Sequence, residues 1–218
     1  MLSGCFKLSR NSPAQQQYVL SGARIPIAAP ASADTDGLTI GIRRIDLVPY
    51  LAMPAIVVRR GAHEIVTSQF HRWGEDLGEG INHTVAAHLT NAPPVKAVNV
   101  APWAARSQHN FLLPLHVTRF EGVAESAATT GTVHVRTTWD IIRPFDGAVL
   151  VRGITDYQDG RFTMGDYESL VSNSTPPSFA SPATFAPAWA GSVPTHCRRR
   201  AADTRVSRVW VMPTPSLL

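Results

Sequence analysis

The chain has 218 residues, 44% apolar and 17% charged, a balance that fits one folded domain with a sizeable core and excludes a disordered chain. No run approaches the 18 apolar residues of a transmembrane helix. The net charge of +4 does not mark a nucleic-acid binder, because five arginines and one acid follow Val171 and leave fifteen basic and fifteen acidic residues in positions 1–171.

At the start, Leu2-Ser3-Gly4-Cys5 fits the bacterial lipobox, in which small residues precede a cysteine that becomes the acylated mature N-terminus. Only Met1 stands before Leu2, whereas a signal peptide has a charged region and an apolar stretch of about 7–15 residues. The reading is that the start was placed too late and the signal is missing from this sequence; the alternative is a free cysteine in a frayed end. Phe6 to Gln17 is polar and suits a tether. Tyr18-Val19-Leu20 and Ala23-Arg24-Ile25 read as a first strand, and Ala28 to Gly37 as a loop.

Leu38, Ile40 and Ile42 alternate with Thr39, Gly41 and Arg43, giving a strand with one apolar face. Pro49 and Pro54 bracket a crossing segment outside the sheet. Ile56 to Arg60 and Glu64 to Gln69 flank Gly61-Ala62-His63, a three-residue hairpin loop. Phe70-His71-Arg72-Trp73 leads into a helix whose apolar positions Leu77, Ile81, Val85 and Leu89 recur every four residues. Pro93 and Pro94 stop it, and Lys96 to Val100 is a short strand. Phe111, Leu113, Leu115 and Val117 share one face of the next strand, with Pro114 favouring an edge or a bulge; Val133, Val135, Thr137, Trp139 and Ile141 share one face of another. Asp146-Gly147 is a hairpin turn, Ala148 to Ile154 the returning strand, and Asp159-Gly160 its close. Met164 to Val171 begins a helix capped by Asp166.

From Ser172 the helix gives way to Pro, Ser, Ala and later Arg, and the reading is a shifted frame. With TCN serine codons, the frame starting one base earlier places apolar residues at 174, 178, 179, 181, 185 and 189, one helical face. The alternative is a genuine disordered tail over residues 172–218. On the shifted frame, Cys197 and the Arg198–Arg200 triplet are artefacts.

The run IGIRRIDLVPYL, then IVVRRGAHEI, then FHRWGEDLGEGI resembles the ABC-type transport auxiliary lipoprotein family, which includes paraquat-inducible protein C. The likeness runs from about Cys5 to Val171. It implies an outer-membrane-anchored lipoprotein facing the periplasm, lipidated at Cys5. Its partners would be a mammalian-cell-entry-domain protein and ABC or related inner-membrane transport components, with a role in lipid trafficking. It also implies that a final helix belongs where the tail now stands.

The expected organisation is a remnant lipobox and tether over 1–17, the auxiliary lipoprotein domain over 18–171 and the out-of-frame tail over 172–218. The expected fold is α+β, one domain with an antiparallel or mixed sheet packed by the central helix.

No G-x-S-x-G, P-loop, G-x-G-x-x-G or H-E-x-x-H motif is present, and neither a catalytic residue nor a cofactor is expected. His83 and His88 are five apart, which does not place both on one helical face as metal ligands, so no metal is expected. Glu64, Arg72, Glu75, Asp76 and Glu79 read as solvated ion pairs around the helix start. Phe70, Arg72 and Trp73 are the candidate surface for a partner or a second copy, provided Arg72 and Trp73 are exposed. The alternative function is a soluble periplasmic ligand-binding or enzymatic domain; nucleic-acid binding would depend wholly on the tail.

Overall fold

The alternating strands and the four-residue helical period build a mixed sheet with one apolar face, and the first helix closes part of that face. The computed structural model describes residues 13–20, 37–92, 94–104, 106–175 and 210–212. Its strands are β1 (Gln16–Tyr18), β2 (Leu38–Ile42), β3 (Asp46–Leu47), β4 (Ala55–Arg60), β5 (Glu64–Trp73), β6 (Val95–Val100), β7 (Phe111–Leu113), β8 (Leu115–Ala124), β9 (Thr130–Ile142), β10 (Val149–Thr163) and β11 (Trp210–Met212). The helices are α1 (Leu77–Thr90) and α2 (Tyr167–Asn173). The chain is thus an α+β single domain around one open mixed sheet.

Two long rails organise the sheet. β7 and β8 are one line broken at Pro114, which has no N–H to give a ladder. Beside it β2, β3 and β4 run parallel in succession, with Ile40 opposite Phe111, Asp46 opposite His116 and Val58 opposite Gly122. On the far side β9 and β10 form an antiparallel hairpin, and β10 also pairs with β11. β6 flanks β2, while β5 flanks β4 and is itself flanked by β1. The Pro49–Leu51 segment is a 3-10 turn that lifts the chain off the sheet between β3 and β4, where the prolines placed a crossing.

The core lies on the face expected. Phe111, Leu113, Leu115 and Val117 are buried, as are Val133, Val135, Thr137, Trp139 and Ile141. Leu77, Ile81, Val85 and Leu89 of α1 are all at most 4% exposed. Burying four such side chains contributes about 1.5–3 kcal/mol each. That outweighs the roughly 0.8–1 kcal/mol each that Gly78 and Gly80 cost a helix. A Cβ at Gly80 would sit 2.8 Å from Oε1 of Glu75, so a larger residue there would only have to displace the end of that flexible side chain.

Strict alternation fails at two places. In β8 an extra residue stands between Val117 and Arg119, so Val117 and Phe120 both face the core and Glu121 turns to the other side. In β10 the expected close at Asp159-Gly160 is a bulge instead. Gly160 adopts φ 71°, and pairing resumes at Arg161 opposite Thr132 and continues to Thr163. The helix start at Asp166 is present as α2, whose N-cap carboxylate accepts from Ser169 N at 3.0 Å. Cys5, the Ala23-Arg24-Ile25 strand, the loop before Gly37 and Cys197 lie outside the described residues. So does almost all of the span assigned to a shifted frame.

Candidate functional site

The edge that carries Phe70 and Arg72 is built by an irregularity in β5. Val57 pairs with Thr67 but Ala55 pairs with Arg72, so β5 accommodates three more residues than β4 over this stretch. His71 N donates to Ser68 Oγ at 3.0 Å and closes the excursion. Phe70 is left 37% exposed and Arg72 also faces solvent. Trp73 goes the other way. It is 6% exposed, its backbone N–H donates to Pro54 O at 2.7 Å, and its indole meets Phe120 edge-on at 5.9 Å. The exposure on which a contact role for Trp73 depended is therefore not met: its large apolar surface fills the gap where β5 leaves the sheet for α1. Phe70 and Arg72 remain as the outward pair.

Three aromatic rings fasten this edge. Tyr18 Oη lies 3.1 Å from His71 Nδ1, and the His71 ring stacks on Tyr167 of α2 at 4.3 Å. Burial, followed by the charge of Glu168, raises the Tyr18 pKa, so the hydroxyl keeps its proton at neutral pH. Strand β1, the β5 excursion and α2 thus form one continuous patch. The acids near α1 do not pair with bases among the described residues. Asp76 accepts from Glu79 N at 3.1 Å as an N-cap, and Glu75 accepts from Leu20 N at 3.2 Å. Their positions reflect unpaired N–H groups at a helix start, which a carboxylate satisfies.

The opposite face of the sheet carries charges in ranks, and one of them was not legible in the sequence. Glu121 has a fully buried side chain, held by Arg59 Nε at 2.7 Å and Arg119 Nη1 at 2.8 Å. Arg59 Nη2 reaches Tyr50 Oη at 3.4 Å, and that hydroxyl donates to Thr118 O at 3.1 Å. The hydrogen bond to Glu121 raises the Arg59 pKa, and burial is the main cause that raises that of Tyr50. The network pins the 3-10 crossing to the rails. Across β9 and β10 follow His134 with Asp156 at 2.8 Å and Arg152 with Asp140 at 2.7 Å. The bulge in β8 is the only signal that would have exposed Glu121's burial, and bulges have no fixed sequence mark.

Among the described residues no three His, Cys, Asp or Glu side chains gather as a metal site, and no helix is long and apolar enough to cross a membrane. His63 and His83 are exposed, while His88 is half-buried and burial lowers its pKa.

A family model described as an ABC-type transport auxiliary lipoprotein component matches residues 18–171. No curated protein matches the chain. Among solved structures, the crystal structure of a protein from Xanthomonas campestris is 13% identical, with 74% of this chain and 84% of that chain covered and a TM-score of 0.56. A crystal structure of an uncharacterized protein is 16% identical, with 74% and 90% covered and a TM-score of 0.51. At these identities the likeness is one of fold.

Proposed function

The chain belongs to the ABC-type transport auxiliary lipoprotein component family, and from that premise we propose that it is a non-enzymatic accessory lipoprotein of a lipid-transport system, held at the periplasmic face of the outer membrane through acylated Cys5. It acts by docking a mammalian-cell-entry-domain protein, itself coupled to ABC or related inner-membrane components. Residues 18–171 are the functional body and residues 1–17 the tether.

The observation that carries this reading is the extent of the family match, which runs from Tyr18 in β1 to Val171 in α2. Those two ends meet through the Tyr18–His71–Tyr167 contacts, so the matched span forms one body closed at the edge where Phe70 and Arg72 face out. A chemistry of contact fits this arrangement: an exposed aromatic beside an exposed arginine is the composition of interface hot spots. Phe70 and Arg72 also sit on β5, the strand paired with β1 at the end of the tether, where an anchored protein would be held toward its neighbours.

The test is expression behind an export signal in a diderm bacterium with labelled palmitate. Label in the wild type and none in Cys5→Ser, together with co-purification of transport components that Phe70→Ala/Arg72→Ala weakens, is the expected result. A soluble, unlabelled chain that turns over a periplasmic substrate would overturn it.

A further inference from the structure

At one pole of the sheet, where β2, β6, β7 and β9 end, a shallow groove of about 720 Å³ is lined by Arg43, Trp103, His109, Leu112, Arg143 and Phe145 among others. Phe145 is 95% exposed, the most exposed large apolar side chain among the described residues. It stands at the tip of the hairpin between the two longest strands, and that tip is rigid. Arg143 N donates to Ala148 O at 2.9 Å, Gly147 N to Arg143 O at 3.0 Å, and Ala148 N to Asp146 Oδ1 at 3.0 Å. Gly147 takes φ 72°, which lets the turn close with the phenyl ring outward. Across the groove the Trp103 and His109 rings pack 4.6 Å apart.

No acid lines the groove. Arg143 is answered by Asp146 at 3.0 Å. Arg43 is exposed and forms no ion pair among the described residues, and the same is true of Arg44 beside it and Arg106 in the Trp103 loop.

We propose that this pole is a membrane-contact site that lays Phe145 and Trp103 into the interface of an anionic bilayer while Arg43 meets the lipid phosphates. A ring projecting from a rigid tip suits insertion, because a bilayer offers no preformed pocket and accepts whatever protrudes, and Trp is enriched at bilayer interfaces for its amphipathic ring. Charge complementarity selects acidic headgroups. The anchor, on which this inference rests, permits the geometry. Ten residues separate Cys5 from Gln16, and the eleven steps of the chain between them, at about 3.3–3.6 Å each, reach at most about 40 Å. Trp73, which pairs with Tyr18 of β1, touches Phe120, and the rail from Phe120 to Leu113 at the pole covers about 23 Å. The tether is therefore long enough for the pole itself to rest on the membrane.

The experiment is co-sedimentation of the full chain bearing Cys5→Ser, and hence no acyl group, with phosphatidylcholine vesicles with and without phosphatidylglycerol. The chain is expected to sediment with the phosphatidylglycerol vesicles. Phe145→Ser should lower the partition about tenfold, the scale set by losing one large apolar side chain. Arg43→Gln should lower it severalfold, and only where phosphatidylglycerol is present. Unchanged thermal midpoints will show that both variants are folded, and a blue shift of Phe145→Trp emission on binding locates the tip in the interface. Failure of the wild type to sediment, or wild-type partition by Phe145→Ser, overturns the proposal. Binding of a glutamate-rich peptide that Arg43→Gln removes, with vesicles ignored, overturns it in favour of an acidic protein partner. None of these failures touches palmitate labelling or partner co-purification, so the function proposed above stands or falls separately.

Discussion

Replacing Glu121 by Ala should be among the most destabilising changes on the sheet's outer face. The substitution removes a carboxylate that is fully buried and leaves Arg59, whose side chain is only 14% exposed, without its counter-charge. Removing one member of a buried pair costs about 3–5 kcal/mol. The lower end applies here, because the Arg119 side chain is 36% exposed and turns to water, and Arg59 retains a bond to Tyr50 Oη. A loss of about 3 kcal/mol corresponds to a thermal midpoint roughly 6–12 °C lower for a chain of this size. Urea titration followed by tryptophan fluorescence measures it. The double variant Arg59→Met/Glu121→Leu should recover much of the loss, since apolar replacement of a whole buried pair is often neutral or better. In Glu121→Ala the amides of Leu51 and Ala52, which bond to Val48 O and Pro49 O within the 3-10 turn, should exchange faster as Tyr50 loosens. A loss below about 1 kcal/mol, or an unchanged exchange rate at those two amides, would refute the view that this network pins the crossing segment.

Other outcomes follow from the same geometry. Trp73→Ala should cost about 3–5 kcal/mol, the range for truncating a core aromatic, whereas Phe70→Ala and Arg72→Ala should each stay within about 0.5 kcal/mol of wild type; chemical denaturation separates the buried residue from the two exposed ones. Gly153→Ala should destabilise by about 1–3 kcal/mol or more, because its Cβ would overlap the Trp139 indole, and near-UV circular dichroism should report the displaced ring. His88 has a lowered folded pKa, so the unfolded chain binds the proton more readily. Stability is full above the unfolded value near 6.5 and is lost as pH falls through that value toward the folded one, and His88→Gln should flatten this part of the midpoint-against-pH curve.

The strands with one dry face were legible because burial imposes a period of two. Leu113, Val117, Val135 and Ile141 are all at 0% exposure, as the pattern of apolar residues requires. The helix was legible through Leu77, Ile81, Val85 and Leu89, and the start of α2 through its cap Asp166, whereas Asp76, read as a member of a solvated ion pair, is the N-cap of α1. The rail formed by β2, β3 and β4 was not, since pairing Ile40 with Phe111 and Val58 with Gly122 joins residues more than sixty positions apart and leaves no local mark. Phe70 and Arg72 were legible as a motif, but the fate of Trp73 was not. Period-two reasoning cannot foresee the three extra residues in β5 that keep Phe70 outside and turn Trp73 in. The same holds for Glu121, which strict alternation from Val117 would have placed on the core side.

The central claim is that this body works by touching a transport partner along the β5 edge. Site-specific photocross-linking in cells tests it most directly, with the cross-linker placed in turn at Phe70, Arg72 and, as the comparison, His83 on the exposed side of α1. The account predicts an adduct with a component of the transport system from positions 70 and 72 and none from 83. Silence at both edge positions, or adducts of equal yield from all three, would contradict it.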